Sequence, residues 1–201
     1  MAGGRPQVFR PSVKRAFRCC KRAIVPSCHC IIRFLDFEMM TEVSINKDIS
    51  KLDGLRLSPH FTLGELTKTS FKTEDGNIPS RVAIENLRNL CENWLEDLRY
   101  SYNRQYHKGG IIINSGYRSP EVNRLAGGAP TSNHVTGCAV DIHVDGMEQL
   151  IRYATILLDL SDESQEDFDE LLLERSPKGG YWLHFAVRPS GNRRKVRLIQ
   201  T

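Results

Sequence analysis

The chain has 201 residues, enough for one domain with its own core, and 26% of them are charged, as is usual for globular proteins. The net charge of +4 is concentrated at the start, because residues 1–39 hold eight Lys or Arg against two Asp or Glu. The slightly acidic remainder gives no reason to expect a nucleic-acid partner, and no stretch reaches the roughly 18 to 20 apolar residues of a membrane span.

Residues 1–55 are predicted to form a basic, poorly ordered leader, and residues 56–201 the folded domain. The leader lacks a sustained hydrophobic period, and its short apolar runs are broken by proline and charged residues, so it has no clear signal peptide. It is a degenerate targeting peptide, a basic arm or an upstream extension. Its Cys28-His29-Cys30 segment has metal-capable atoms, but no second pair lies at zinc-finger spacing.

The folded part opens with signals for helices. Ser58 before Pro59, or Thr62 three residues before Glu65, could cap a short helix. From Ser80 onward, apolar residues recur at steps of three and four, which predicts a long amphipathic helix. The residues of its buried face are Val82, Ile84, Leu87, Leu90, Cys91, Trp94, Leu95 and Leu98.

Strands dominate the rest of the chain. The segments 111–114, 138–144, 169–175 and 181–187 are predicted strands, and residues 192–200 an edge strand or tail. A second amphipathic helix is predicted over residues 149–160, with Leu150, Ile151, Ala154, Leu157 and Leu158 facing inward. The predicted fold is α+β, a small, mainly antiparallel sheet flanked by helices. The long loop between the first two strands is expected to carry function.

Three residues of this region suit a metal site. His134 ends the long loop, Asp141 lies in the next strand and His184 lies in a late strand. Strand alternation places Asp141 and His184 on faces opposite their apolar neighbours. Two imidazoles and one carboxylate leave a fourth tetrahedral position open, which is typical of catalytic zinc. Spacing alone leaves ordinary roles open, such as a hydrogen-bonded core histidine or a capping aspartate.

Several segments of the chain resemble the zinc D-Ala-D-Ala carboxypeptidase family. They are FTLGELTKTS (61–70), INSGYRSPEVN (113–123), GGAPTSNHVTGCAVDI (127–142), FDELLLE (168–174) and YWLHFAV (181–187). The resemblance covers about residues 58–188 with its motifs in the family's order, and it is closest to the compact branch found in phages and bacteria. It implies the fold that the family shares with the Hedgehog signalling domain.

The resemblance also implies roles for individual residues. His134, Asp141 and His184 would bind one Zn²⁺ per chain. Arg118 would be catalytic, binding the substrate carboxylate or the developing oxyanion, because its guanidinium is a permanently charged donor. Ser132 would contact substrate, or serve only as a turn-stabilising residue. Trp182 would line the substrate site, or simply pack.

The general base is the point at which the chain departs from parts of the family. Some relatives carry Glu three residues before the final histidine, where this chain has Tyr181, and others carry His two residues before it, where this chain has Trp182. Glu174 is the best remaining carboxylate, since alternation places it on one face with Glu170 and Leu172. Its alternative role is a surface ion pair with Arg175, Lys178 or Arg188.

The predicted function is therefore a zinc-dependent peptidoglycan peptidase, a hydrolase of bonds in stem peptides of the bacterial cell wall. Carboxypeptidase and endopeptidase activity both remain open, as do a role in phage lysis, in the virion or in remodelling of a cell's own wall. The alternative is a non-catalytic, zinc-containing wall-binding or interaction module of the same fold. We expect a monomer whose partners are peptidoglycan stem peptides.

Overall fold

The computed structural model describes residues 52–106 and 109–200, so the predicted leader lies outside the described residues up to position 51. The elements used below are α1 (Leu63–Thr67), α2 (Arg81–Leu90), α3 (Glu96–Tyr106), β1 (Ile113–Ser115), α4 (Pro120–Leu125), β2 (Ala139–His143), α5 (Met147–Ser164), β3 (Glu170–Arg175), β4 (Tyr181–Ala186) and β5 (Lys195–Gln200). None of the helices in these ranges is both long and apolar enough to cross a bilayer.

Helix α1 begins with the second of the two predicted caps. The Thr62 side chain accepts a hydrogen bond from the Glu65 backbone N–H, and the Glu65 carboxylate accepts one from the Thr62 N–H at 2.9 Å. This reciprocal capping box satisfies two N–H groups that the helix start leaves without partners. Ser58 does not cap the helix, because its hydroxyl donates instead to the Glu96 carboxylate at 2.7 Å.

The predicted long helix is present but contains a π-helical turn. Ser80 caps α2, and a turn at Cys91–Leu95 joins α2 to α3 without a break. Trp94 in this turn packs against Phe185 and Phe168, with ring centroids 5.2 and 6.4 Å away. These aromatic contacts join the helical layer to the sheet and form the centre of the core. Val82 was predicted to face the core but is 64% exposed.

The sheet has five strands in the order β1-β2-β4-β3-β5, and only the β3–β5 pair is parallel. The α+β prediction is therefore confirmed. Strand β1 is shorter than predicted and shifted toward the C-terminus, with a register irregularity against β2. Helix α5 is longer than predicted, and Ile151 is 51% exposed while Tyr153 and Ile156 are buried.

The two faces of the sheet have different chemistry. One face is apolar and fully buried at Val140, Ile142, Leu183 and Phe185, beneath α5 and the α2–α3 helix. The opposite face, called the site face below, carries the alternate residues of each strand. It consists of Ala139, Asp141 and His143 of β2, Trp182, His184 and Ala186 of β4, and Glu170, Leu172 and Glu174 of β3.

Candidate metal centre and catalytic face

His134 is held by a short helical turn next to the site face. The Ser132 hydroxyl accepts a hydrogen bond from the His134 N–H at 3.3 Å, and Gly137 ends the turn in the left-handed conformation with φ of 71°. The imidazole is buried, and its Nδ1 lies 2.6 Å from the Gly116 carbonyl oxygen. Because a carbonyl can only accept, Nδ1 carries the proton and Nε2 keeps a lone pair for a metal.

Asp141 lies at the centre of the cluster. Its Oδ1 is 3.3 Å from His134 Nε2 and 2.8 Å from His184 Nδ1. The contact with His184 follows from strand register, because Asp141 and His184 stand directly opposite each other on β2 and β4. One ligand atom from each of the three residues lies within 4.8 Å of the others. Two imidazole nitrogens and a carboxylate oxygen this close could hold a metal ion, and they are the donor types that zinc prefers.

The far side of His184 faces a second carboxylate. His184 Nε2 is 3.7 Å from Glu170 Oε2, while the other Glu170 oxygen accepts a hydrogen bond from Lys195 Nζ at 2.7 Å. Because His184 Nδ1 faces Asp141, a proton on His184 Nε2 would point toward the Glu170 carboxylate. A carboxylate on the distal nitrogen of a ligating histidine fixes the orientation of its ring.

The pKa shifts in the cluster follow from burial and proximity. Burial would raise the pKa of the Asp141 carboxyl, but the two imidazoles hold it well below its usual range. Burial would lower the pKa of His184, but its hydrogen bond to Asp141 and the nearby Glu170 carboxylate outweigh burial and raise that pKa to about 9. Without a metal, His184 is therefore protonated at neutral pH, donates to Asp141 and lies close to the Glu170 carboxylate.

Arg118 contacts the cluster directly. Its Nη2 donates to Asp141 Oδ2 at 2.5 Å, and its Nε donates to the Ser115 hydroxyl at 2.8 Å. The sequence predicted a contact with substrate, whereas the structure adds an ion pair with Asp141. The guanidinium takes the Asp141 oxygen that faces away from the histidines, so Oδ1 remains directed at them. An arginine fork suits this task because its donors are planar and fixed.

Glu174 and Trp182 lie on the site face, opposite each other on β3 and β4. Glu174 follows Leu172, the partner of His184, by two residues, so its side chain points to the same side as the cluster. Burial raises the pKa of the half-buried Glu174 carboxyl. Within the described residues no ion pair with Glu174 occurs, and Arg188 pairs instead with Asp169 at 3.0 Å.

Two acidic side chains that help to position the cluster were not predicted from the sequence to do so. Glu170 faces His184, and strand alternation had already placed it on the correct face. Asp169 is fully buried, receives two hydrogen bonds from Arg193, and accepts a third from the Asn133 side chain at 2.8 Å. Asn133 precedes His134, so this bond fastens the turn that carries His134 to the start of β3. No spacing rule could have revealed it, because the partners are 36 residues apart.

The sequence was compared with models of known protein families and with curated proteins. A family model described as Peptidase M15 matches residues 59–157, roughly half of the chain. The matched region contains Arg118, His134 and Asp141, whereas Glu174 and His184 follow it. No curated protein matches the chain.

Proposed function

Because the chain belongs to the peptidase M15 family, the zinc D-Ala-D-Ala carboxypeptidases, and is thus a metallopeptidase, we propose that it hydrolyses D-amino-acid bonds in peptidoglycan stem peptides. The observation that carries the proposal is the buried cluster of His134, Asp141 and His184. In this proposal the three residues bind one zinc ion through His134 Nε2, Asp141 Oδ1 and His184 Nδ1. Three protein ligands leave a coordination position for water or substrate.

Zinc bound there would polarise the scissile carbonyl and lower the pKa of a coordinated water to roughly 7. The surrounding residues of the protein orient the three metal ligands. The Gly116 carbonyl and Glu170 hold the two imidazole rings, while Arg118 holds the Asp141 carboxylate. These contacts exist before substrate arrives, so little reorganisation is needed during reaction.

Glu174 is the proposed general base. A base works best when its pKa lies near the working pH, and burial moves the pKa of Glu174 in that direction. Glu170 is less suited, because His184 and Lys195 hold its pKa at about 2 and occupy its oxygens. Glu174 has no such partner among the described residues, so it is available to take a proton from water.

Two further residues are proposed to contact substrate. The indole of Trp182, between His143 and Glu174 in the ladder, would form a wall for the substrate side chain. Ser132 already accepts a hydrogen bond from the His134 N–H. Its hydroxyl proton remains available to a substrate oxygen.

Replacement of Glu174 by Gln tests this assignment. We expect kcat on defined muropeptides to fall by roughly 10²- to 10⁴-fold, with zinc content unchanged, because only proton transfer is lost. Mass analysis of the products measures the change and shows which bond is cut. Glu163→Gln, at an exposed position on α5, is the control and should retain full activity.

Two results would count against the proposal in different ways. Equal activity of Glu174→Gln and the unaltered chain would place the base elsewhere. If the zinc-loaded chain left all muropeptides uncut while a known peptidase digested them, the chain would instead be a zinc-containing wall-binding or interaction module.

A further inference from the structure

The two acidic side chains that support the candidate metal histidines are consecutive residues at the start of β3. Asp169 holds the side chain of Asn133, in the turn that carries His134, and Glu170 faces the ring of His184. The Asp169 side chain is fully buried and that of Glu170 is 15% exposed. A buried carboxylate is costly unless cations or donors pair with it. The positions of both acidic side chains therefore depend on the cations that reach them.

One guanidinium, that of Arg193, contacts both carboxylates. Its Nε donates to Asp169 Oδ1 at 2.7 Å and its Nη2 donates to Asp169 Oδ2 at 2.8 Å, so this ion pair is bidentate. The same Nη2 lies 3.0 Å from Glu170 Oε1. Because a guanidinium is planar and its donors have fixed directions, Arg193 holds the two carboxylates at a fixed position relative to each other.

At Glu170, the cations occupy one oxygen and leave the other for the histidine. Arg193 and Lys195 both lie on Oε1, at 3.0 and 2.7 Å. Oε2 faces His184 Nε2 at 3.7 Å. The contact with Arg193 therefore sets which Glu170 oxygen is directed at the imidazole ring.

At Asp169, Arg193 shares the carboxylate with the residues that hold the turn of His134. Oδ2 accepts from Asn133 Nδ2 at 2.8 Å, and Arg188 Nε lies 3.0 Å from the same oxygen. Arg188 Nε also donates to the Asn133 carbonyl oxygen at 3.1 Å, so both ends of that amide are held. Without Arg193, Asp169 Oδ1 would lose the donor that now fixes it.

The backbone beside Arg193 is itself anchored to the start of β3. The Arg194 N–H donates to the Phe168 carbonyl at 2.8 Å, and the Lys195 N–H donates to the Asp169 carbonyl at 3.0 Å. Two main-chain bonds directly after Arg193 thus fix the point from which its side chain reaches the two carboxylates.

We propose that Arg193 is a positioning residue of the metal site, which holds both histidine supports at once and thereby increases the zinc affinity of the cluster. It acts through Asp169 on the turn of His134 and through Glu170 on the ring of His184. The inference rests on the zinc site of the proposed function and deepens it. Removing a residue that orients metal-binding histidines typically lowers metal affinity by roughly 10- to 100-fold.

The charge of Arg193 gives this proposal a distinctive sign. Arg193 is a cation close to a site for a cation, so Coulomb repulsion alone predicts that removing its charge strengthens zinc binding. Loss of positioning predicts weaker binding, because the two imidazoles would no longer be held in place before the metal arrives. The direction of the change in zinc affinity therefore separates positioning from charge.

The test is the zinc affinity of the 201-residue chain, measured by competition with a chelator in the absence of peptide. Arg193→Gln should weaken zinc binding by roughly 10- to 100-fold. Arg193→Lys, which keeps the charge but not the planar fork, should also weaken it. Arg194→Gln is the matched control, because it removes an adjacent guanidinium of similar exposure whose partners are Asp162 and Asp167, and it should leave zinc affinity unchanged.

A spectroscopic measurement reports the geometry of the site directly. The visible absorption of the cobalt(II)-loaded chain depends on how the ligands are arranged around the ion. We expect this spectrum to change in Arg193→Gln and to stay the same in Arg194→Gln.

Unchanged or tighter zinc binding in Arg193→Gln overturns the inference, and so does an equal loss of affinity in Arg194→Gln. Circular dichroism shows whether each variant folds. If Arg193→Gln does not fold, Arg193→Lys decides, and a zinc affinity equal to that of the unaltered chain overturns the inference. Because no peptide is present, a chain that behaves as expected here but cuts no muropeptide counts against the proposed function alone. A chain that binds no zinc contradicts both.

Discussion

The Asp141 carboxylate divides its two oxygens between different partners. Oδ2 receives the Arg118 guanidinium, and Oδ1 faces both imidazoles. A buried carboxylate is costly unless it is paired, and here the pairing comes from Arg118 together with the protonated His184. Zinc would replace the proton on His184 Nδ1 as the group that joins this histidine to Asp141. Metal binding at neutral pH should accordingly release a proton.

The raised pKa of His184 predicts how the metal-free protein responds to pH. The pKa is about 9 in the folded chain and about 6.5 for an unperturbed histidine, so the folded state binds this proton more tightly. The stabilisation is fully present below pH 6.5 and is lost as pH rises through 9. We expect the free energy of unfolding, measured in urea without metal, to fall across that window.

Two histidine variants test the assignment of this pH dependence. His184→Gln should flatten the decline, whereas His143→Gln should retain it, because the His143 side chain is 44% exposed. An equal slope in His184→Gln and the unaltered chain would show that the dependence comes from other groups.

At the scale of elements, the cluster depends on one strand ladder and one turn. The β2–β4 register sets Asp141 opposite His184, and the turn after Ser132 brings His134 to them. Gly137 ends that turn with positive φ, and a Cβ there would lie 2.4 Å from the Ala83 carbonyl oxygen. The turn is thus packed tightly against the start of α2.

Two glycine substitutions separate the cost of backbone strain from the cost of the clash with the Ala83 carbonyl. Gly127 also has positive φ, but nothing lies near its missing Cβ. Gly127→Ala should lower the free energy of unfolding by about 1 kcal/mol, the cost of a left-handed conformation. Gly137→Ala should lower the free energy of unfolding by at least about 1 kcal/mol more than Gly127→Ala does, because the added methyl group displaces α2. Gly137→Ala should also weaken zinc binding. Urea denaturation and zinc titration measure both effects, and equal losses in the two variants would contradict the tight packing.

Local patterns predicted the elements better than their contacts. Alternation in β2 and β4 correctly separated Asp141 and His184 from their apolar neighbours, and the Thr62–Glu65 spacing predicted a real cap. The bounds of β1 were wrong because it is a short edge strand with an irregular register, and Ile112 is 62% exposed. The Arg118–Asp141 pair could not be foreseen, since it depends on a register between distant segments that no local pattern specifies.

At the scale of the whole domain, stability and chemistry occupy opposite faces of one sheet. The helices cover the apolar face, where Trp94, Phe168 and Phe185 form an aromatic cluster. The site face carries the candidate metal ligands, Glu174 and Trp182. This separation lets the buried layer hold the strand register that the ligand geometry requires.

The metal content of the purified 201-residue chain tests the central claim most directly. The account predicts about one tightly held zinc per chain after dialysis. Asp141→Ala and His134→Ala should lose that zinc, while Asp145→Ala, at an exposed position just after β2, should keep it. A chain that holds no zinc, or an Asp141→Ala variant that holds as much as the unaltered protein, would contradict the account.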